Sequence, residues 1–480
     1  MQWLAHLRLG AAALALVLVG AGLQPTPLAA QTPVPPGAPA PGGATTLYLP
    51  LILKRAGGVE TGLQVQNLTG NPADLVLSYY DRDGVTRPEW TERASVGPNQ
   101  ATTFYQPSSP NLPAGFAGSA VLQATQLVGA IVNEQSQPDA QPFFFGTYVA
   151  PRSAANTVYL PFALKGVGGR NSTITVQNAS AAPATVDARF FGRDEGLIGR
   201  VQVFLPPYAA RPIRLAERTD LPGVMDASAV LVADQPIVAV GDVVDTTPGT
   251  PILELYTGLT GGAAAQLAPL IFSDRNGWDS EVRIQNTGTA PTSVRVRVQP
   301  TGGGTEIATP PVSIAPNAAY SFRPRDVAAI GSNFVGSAQV EANGTVAAVA
   351  TEYNISRATG MAYNTFTPNA STPRISVPLI FKDRNGFDTG IQVQNVDNSD
   401  AQVRVTYSLA SGAQVVDFGV VPANGSFTFY QPDNTQLPAG TVGSAVVENI
   451  AGPQRLVAIV NEVNYARGGD ASATYEGLNY

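Results

Sequence analysis

The feature that most constrains this chain is a fourfold internal repeat of roughly 110 residues. Each copy opens on an apolar run carrying one proline: Leu49 to Lys54, Leu160 to Lys165, Ala268 to Phe272 and Val377 to Lys382. The prolines Pro50, Pro161, Pro269 and Pro378 are separated by 111, 108 and 109 residues. Seventeen residues after each stands an Asn preceded by Gln, at Asn67, Asn178, Asn286 and Asn395. A Gly/Ala-Ser-Ala block follows at Gly118, Ala227, Gly336 and Gly443. An acid then closes an apolar run at Glu134, Asp242, Glu352 and Glu462. Whatever one copy folds into, four related copies must fold into together.

The period inside each copy is two. Leu63 and Val65, Ile174 and Val176, Val282 and Ile284, and Ile391 and Val393 alternate with polar residues, as half-buried strands require. The Asn then begins a turn in which its side chain stands in for a backbone acceptor. Further strands fit Thr102 to Tyr105, Ser119 to Ala124, Val128 to Glu134 and Phe143 to Tyr148, with counterparts in the other copies. Seven or eight strands per copy predict an all-β chain of four tandem immunoglobulin-like β-sandwich domains in an extended array. The domains are expected at residues 46–150, 157–258, 266–367 and 375–480. The short joints 150–156, 258–266 and 367–375 predict a partly flexible rod on the order of 150 Å long, from ~3.3 Å per strand residue.

Composition removes several function classes. The chain has no Cys, and its one His, His6, lies in the N-terminal apolar segment. Thiol nucleophiles, Ser-His-Asp triads and His- or Cys-ligated zinc are therefore unavailable to the rest of the chain. The net charge of −7 comes without a basic cluster, which argues against nucleic acid. Arg8, the apolar run Leu9 to Leu23 and Leu28-Ala29-Ala30 predict a signal peptide over residues 1–30, cleaved before Gln31. Residues 31–45 then form a Pro/Gly-rich spacer, and no membrane insertion is expected after cleavage.

The Leu-Pro-Leu-Ile, Val-Gln-Asn, Gly-Ser-Ala-Val and Val-Asn-Glu blocks together resemble those of uncharacterised exported tandem-repeat proteins of filamentous bacteria. The resemblance spans nearly the whole mature chain, implies surface-associated β-sandwich arrays and supplies no catalytic residues. Repeat 2 departs most, with Ala227 for Gly and Asp242 for Glu.

No catalytic residue, cofactor or metal site is assigned. Three sets of residues were weighed for ligand chemistry. The repeated acids Glu134, Asp242, Glu352 and Glu462 could help hold Ca²⁺ at a domain end, or could accept hydrogen bonds within the fold. The loops Asp274 to Asp279 and Asp383 to Asp388 carry oxygens that suit Ca²⁺, yet their spacing is not that of an EF-hand and a plain Asn-Gly turn explains them without a metal. Trp278, Phe387 and Trp90 could stack on sugars or pack locally. The sequons at Asn67 and Asn178 matter only if the host glycosylates asparagine.

The sequence supports a non-enzymatic structural or adhesion-like interaction protein of the cell surface or extracellular matrix. Its partner would be an extracellular protein, a glycan or a second copy of the chain. A carbohydrate-binding array is the alternative, and it requires loop aromatics gathered on one exposed face. A hydrolase using two carboxylates would need a cleft that four small sandwiches do not obviously supply.

Overall fold

The computed structural model describes residues 45–137, 140, 142–245 and 251–480; the expected signal peptide and all but the end of the spacer lie outside them. The described chain is built of β-strands with short 3₁₀ turns. Repeat 1 shows the plan through eight strands: β1 Thr45–Lys54, β2 Val59–Asn67, β3 Ala73–Asp81, β4 Glu92–Val96, β5 Ala101–Tyr105, β6 Phe116–Ala124, β7 Val128–Ser136 and β8 Phe143–Val149. One sheet runs β1-β6-β3-β4 and the other β8-β7-β2-β5. The two stack through the cluster of Leu49, Leu63, Leu77 and Leu122. In an immunoglobulin sheet the first strand pairs with the second, whereas here β1 pairs with β6. The immunoglobulin-like strand order expected above is thus not the one adopted, although paired antiparallel sheets are. In repeats 2 and 3 the counterparts of β6 and β7 fuse into single strands, Met225–Asp245 and Phe334–Asn354, that pass from one sheet to the other.

The repeated proline marks a β-bulge. Pairing of β1 with β6 skips between Leu49 and Ile52, and the same skip recurs at Val377/Ile380 in repeat 4. A bulge tolerates proline because the missing N–H has no ladder partner there. It also leaves the next residue unpaired, and a tyrosine from the last strand of the repeat satisfies it. Tyr148 Oη donates to Leu51 O at 3.0 Å and Tyr256 Oη to Phe162 O at 2.8 Å. Tyr363 and Tyr475 bond Leu270 O and Leu379 O in the same way. A hydroxyl from the second strand closes the other side: Thr61, Ser172, Ser280 and Thr389 accept from Leu53, Leu164, Phe272 and Phe381 N–H. Bulge, tyrosine and hydroxyl form one polar joint inside an apolar sandwich, repeated four times.

The buried Asn of each Gln-Asn pair holds the opposite end. Asn67 Oδ1 accepts from Thr69 N–H at 3.0 Å, while its Nδ2 donates to Asn71 O and Val96 O. Asn178, Asn286 and Asn395 repeat the pattern. All four are completely buried, so the Asn67 and Asn178 sequons present no free amide for a glycan in the folded chain. The Gly of the Gly-Ser-Ala block is set by close approach: a Cβ at Gly118 would sit 2.1 Å from Tyr80 O, and at Gly336 2.1 Å from Gln299 O. Repeat 2 carries Ala227 instead, and its cross-strand partner there is Gly192 where repeat 1 has Asp81.

The four units do not form an extended array. Each apolar cluster takes members from the next repeat: Val240 and Leu255 join repeat 1, Val349 and Ala362 join repeat 2, Val457 and Ile459 join repeat 3. Ile131, Phe143 and Phe145 of repeat 1 then join repeat 4, and the ring closes. The last strands, β8, Ile252–Thr257, Thr359–Asn364 and Ser472–Glu476, pack against one another around its centre. The joints are pinned as well: Leu259 pairs with Tyr159, and Phe366 with Leu267.

Replacing Tyr363 with Phe keeps the ring packing and removes the bond to the bulge, leaving a buried carbonyl without its donor. Urea unfolding of Tyr363→Phe is expected to show a loss of about 1–2 kcal/mol with an unchanged slope. A variant as stable as wild type would contradict this role for the tyrosine.

Candidate functional site

The residues singled out by repetition converge on the interfaces between repeats and on the ring centre. The Gln of the Gln-Asn pair reaches back to the preceding repeat. Gln177 Nε2 donates to Ala120 O at 3.1 Å, and Gln285 Nε2 to Ala229 O at 3.1 Å. The Ser of the Gly-Ser-Ala block reaches forward: Ser119 Oγ donates to Tyr208 O at 2.7 Å and Ser228 Oγ to Asn317 O at 2.6 Å. Repeats 4 and 1 close by another route. Gly469 and Asp470 pair in parallel with Phe143 and Phe144, Gln64 Nε2 donates to Pro378 O at 3.4 Å, and the Phe145 and Phe387 rings meet edge-on at 5.6 Å.

Hydrogen bonds cross all four last strands. Thr257 Oγ1 donates to Val149 O, Asn364 Nδ2 donates to Thr257 O, and Asn364 N–H donates to Glu476. The Asp470 carboxylate, with no exposed surface, sits where repeats 2, 3 and 4 meet. It accepts from Leu253 N–H at 2.7 Å, Thr359 Oγ1 at 2.8 Å, Gly360 N–H at 3.1 Å and Ser472 Oγ at 3.1 Å. Nothing in the sequence flagged Asp470, because it occurs in one repeat only. The tyrosines are legible in the sequence as a fourfold recurrence near the end of each copy, at Tyr148, Tyr256, Tyr363 and Tyr475.

The repeated acids are in structural register in three copies. Glu134, Glu352 and Glu462 pair across strands with Thr61, Ser280 and Thr389, whereas Ser172 is opposed by Val243. Asp242 lies one residue earlier, opposite Thr173, and accepts the Thr173 N–H at 2.9 Å. A one-residue step along a strand turns a side chain to the other face, so Asp242 is no counterpart of the three glutamates. Glu352 accepts from Asn461 Nδ2 of repeat 4 at 2.7 Å. Both Glu462 oxygens, and Glu134 Oε2, are buried without a hydrogen-bond partner. Burial pushes the Glu352 and Glu462 carboxyls up to about 8, with the Asn461 bond pulling Glu352 the other way. Burial, with Asp242 nearby, pushes Glu134 up to about 8, and burial pushes Asp242 up to about 7. Burial outweighs the four donors around Asp470, which is raised to about 8, and Glu476 is raised to about 7.

The two Asp-rich loops are hydrogen-bonded turns. Asn276 and Gly277 both have positive φ, 54° and 82°, as do Asn385 and Gly386 at 53° and 81°. That is the backbone of a two-residue hairpin turn favoured by Asn-Gly. Asp279 Oδ1 accepts from Asp274 N–H at 3.0 Å and its Oδ2 from Arg325 at 3.0 Å. Asp388 accepts from Asp383 N–H at 2.8 Å. Among the described residues no group of three or more metal-ligating side chains comes together.

The aromatic residues proposed as a sugar platform pack inward. Trp278 lies with Met361 and Val463, Phe387 with Phe145 and Phe381, and Trp90 edge-on to Phe116. All three are less than one-tenth exposed. Trp278, Phe387 and Trp90 therefore do not supply the exposed aromatic face that the carbohydrate-binding alternative requires.

No family model matches the chain, and no curated protein matches it. Among solved structures, a Thermotoga maritima protein is similar over 22% of this chain and 93% of its own, at 17% identity and a TM-score of 0.20. A tetra-tandem repeat from the extending region of a large adhesion protein covers 91% of this chain and 99% of its own, at 13% identity and a TM-score of 0.11. The pilus adhesin SpaC of Lactobacillus rhamnosus GG covers 86% and 55%, at 9% identity and a TM-score of 0.11. These likenesses are too low to carry an argument.

The raised carboxyls fix the sign of a pH dependence. Their folded values of about 7 to 8 lie above the ordinary values of 4.5 for Glu and 3.8 for Asp. Between those limits the folded chain holds more protons than the unfolded one, so stability falls as pH rises from about 4 to 8 and levels off above. Tm is expected to rise from pH 8 to pH 5, and the slope to flatten in the Glu352→Gln, Glu462→Gln double variant. A Tm that drops on acidification over that range would overturn the assignment.

Proposed function

We propose that the protein is an exported, non-enzymatic structural or interaction protein of the cell surface or extracellular matrix. The observation that carries this reading is where the repeated residues are used. Proline, tyrosine, Gln-Asn and Gly-Ser-Ala hold bulges, turns and interfaces. A scaffold that devotes its repeated polar groups to its own assembly leaves variable outer loops to meet partners. The N-terminal export-like segment fits such a location. Among the described residues no helix is long and apolar enough to cross a membrane.

Localisation in intact source cells tests the proposal. Antibody against the ring should label unpermeabilised cells or their matrix, and the recovered protein should begin at Gln31. Recovery only from the cytoplasm, with Met1 retained, would contradict it.

A further inference from the structure

Four interfaces share one plan but differ at one position, and the difference opens a cavity. Three residues before each repeated Asn stand Gln64, Thr175, Arg283 and Gln392. Two of these reach back to the proline carbonyl at the bulge of the preceding repeat. Gln64 donates to Pro378 O, and Arg283 Nε donates to Pro161 O at 3.1 Å. The Arg283 guanidinium also bonds Asp226 and Ala227 O and lies 5.5 Å from the Phe162 ring centroid. It is nearly buried, so this interface accommodates a whole guanidinium between repeats.

Between repeats 1 and 2 the same position is Thr175, whose hydroxyl makes no bond to the bulge at Pro50. The space left is a cavity of about 520 Å³ bounded by Pro50, Thr175, Glu134, Asp242 and Arg214. Glu134 and Asp242 line it from different repeats; Asp242 already accepts from Thr173 N–H, and Glu134 Oε2 is buried without a partner. Burial raises both; Thr173 and the Arg214 guanidinium pull Asp242 the other way, and no cation does so at Glu134. A cation entering the cavity would supply the donors and the charge that Arg283 supplies at the neighbouring interface.

We propose that the cavity between repeats 1 and 2 is a binding site for a guanidinium or alkylammonium group, seated against the Pro50 bulge and the Glu134 and Asp242 carboxyl groups, which give up their protons as the cation enters. The group would be part of a small free cation or the end of an Arg or Lys side chain from another chain.

Titration calorimetry of the ring with agmatine and with a short Arg-containing peptide, capped at both ends, tests this. One agmatine per chain is expected, weakened roughly tenfold in Glu134→Gln and lost in Thr175→Arg, which fills the site with the protein's own guanidinium. Thr175→Arg should also melt at or above the wild-type temperature, a readout independent of ligand. Agmatine binding without peptide binding would support a small free cation, and tighter peptide binding a side chain delivered by a partner. Failure of both probes at low millimolar concentration, or agmatine binding that persists unchanged in Thr175→Arg, would overturn the proposal.

Discussion

Each repeat ends in a strand that is buried on both faces, and one sandwich can cover only one of them. Tyr148, Tyr256, Tyr363 and Tyr475 point from these strands into their own cores, and the remaining surface of Phe143–Val149, Ile252–Thr257, Thr359–Asn364 and Ser472–Glu476 is buried too. In a rod that second face would meet water. Four such strands covering one another remove it from water only if repeat 4 returns to repeat 1, and the cyclic sharing of core residues is the result. Apolar burial of this kind is non-directional. The direction comes from polar pairs: Gln177 and Gln285 reaching back, Ser119 and Ser228 reaching forward, and Asp470 gathering donors from three repeats.

Much of the local structure was legible in the sequence. Alternation at Leu63 and Val65 places a strand with its apolar side in the core, although Gln64 and Gln66 on its other side are buried against neighbours as well, and the Gln-Asn turn can be read from the chemistry of Asn alone. What was missed follows from two physical limits. A strand buried on both faces shows no alternation, so Phe143 to Tyr148 read as one more strand and its second face went unasked. Register also cannot be taken from landmark spacing when a copy slips by one residue. Asp242 looked like the fourth acid, but pairing places Val243 opposite Ser172. The linkers were read as flexible from their Pro and Gly content, whereas Leu259 and Phe366 are bonded into ladders.

The same closure explains the candidate ligand residues. Asp279 and Asp388 are turned onto their own Asn-Gly turns, and Trp278 and Phe387 are covered where repeats meet. Glu352 and Glu462 are buried so completely that the neutral acid is the form the fold favours. Repetition therefore marks assembly in this chain. At the interface at Thr175, one short side chain leaves a cavity lined by polar groups.

Small-angle scattering from residues 45–480 in dilute solution measures closure most directly. The ring predicts a radius of gyration of roughly 22–26 Å, near the scaling for a compact chain of this length. It also predicts a distance distribution with a single peak. A rod on the order of 150 Å would give about 43 Å and a long tail, with spacing set by ~3.3 Å per strand residue. The first result would place the four repeats around one centre; the second would mean that repeats 1 and 4 do not meet.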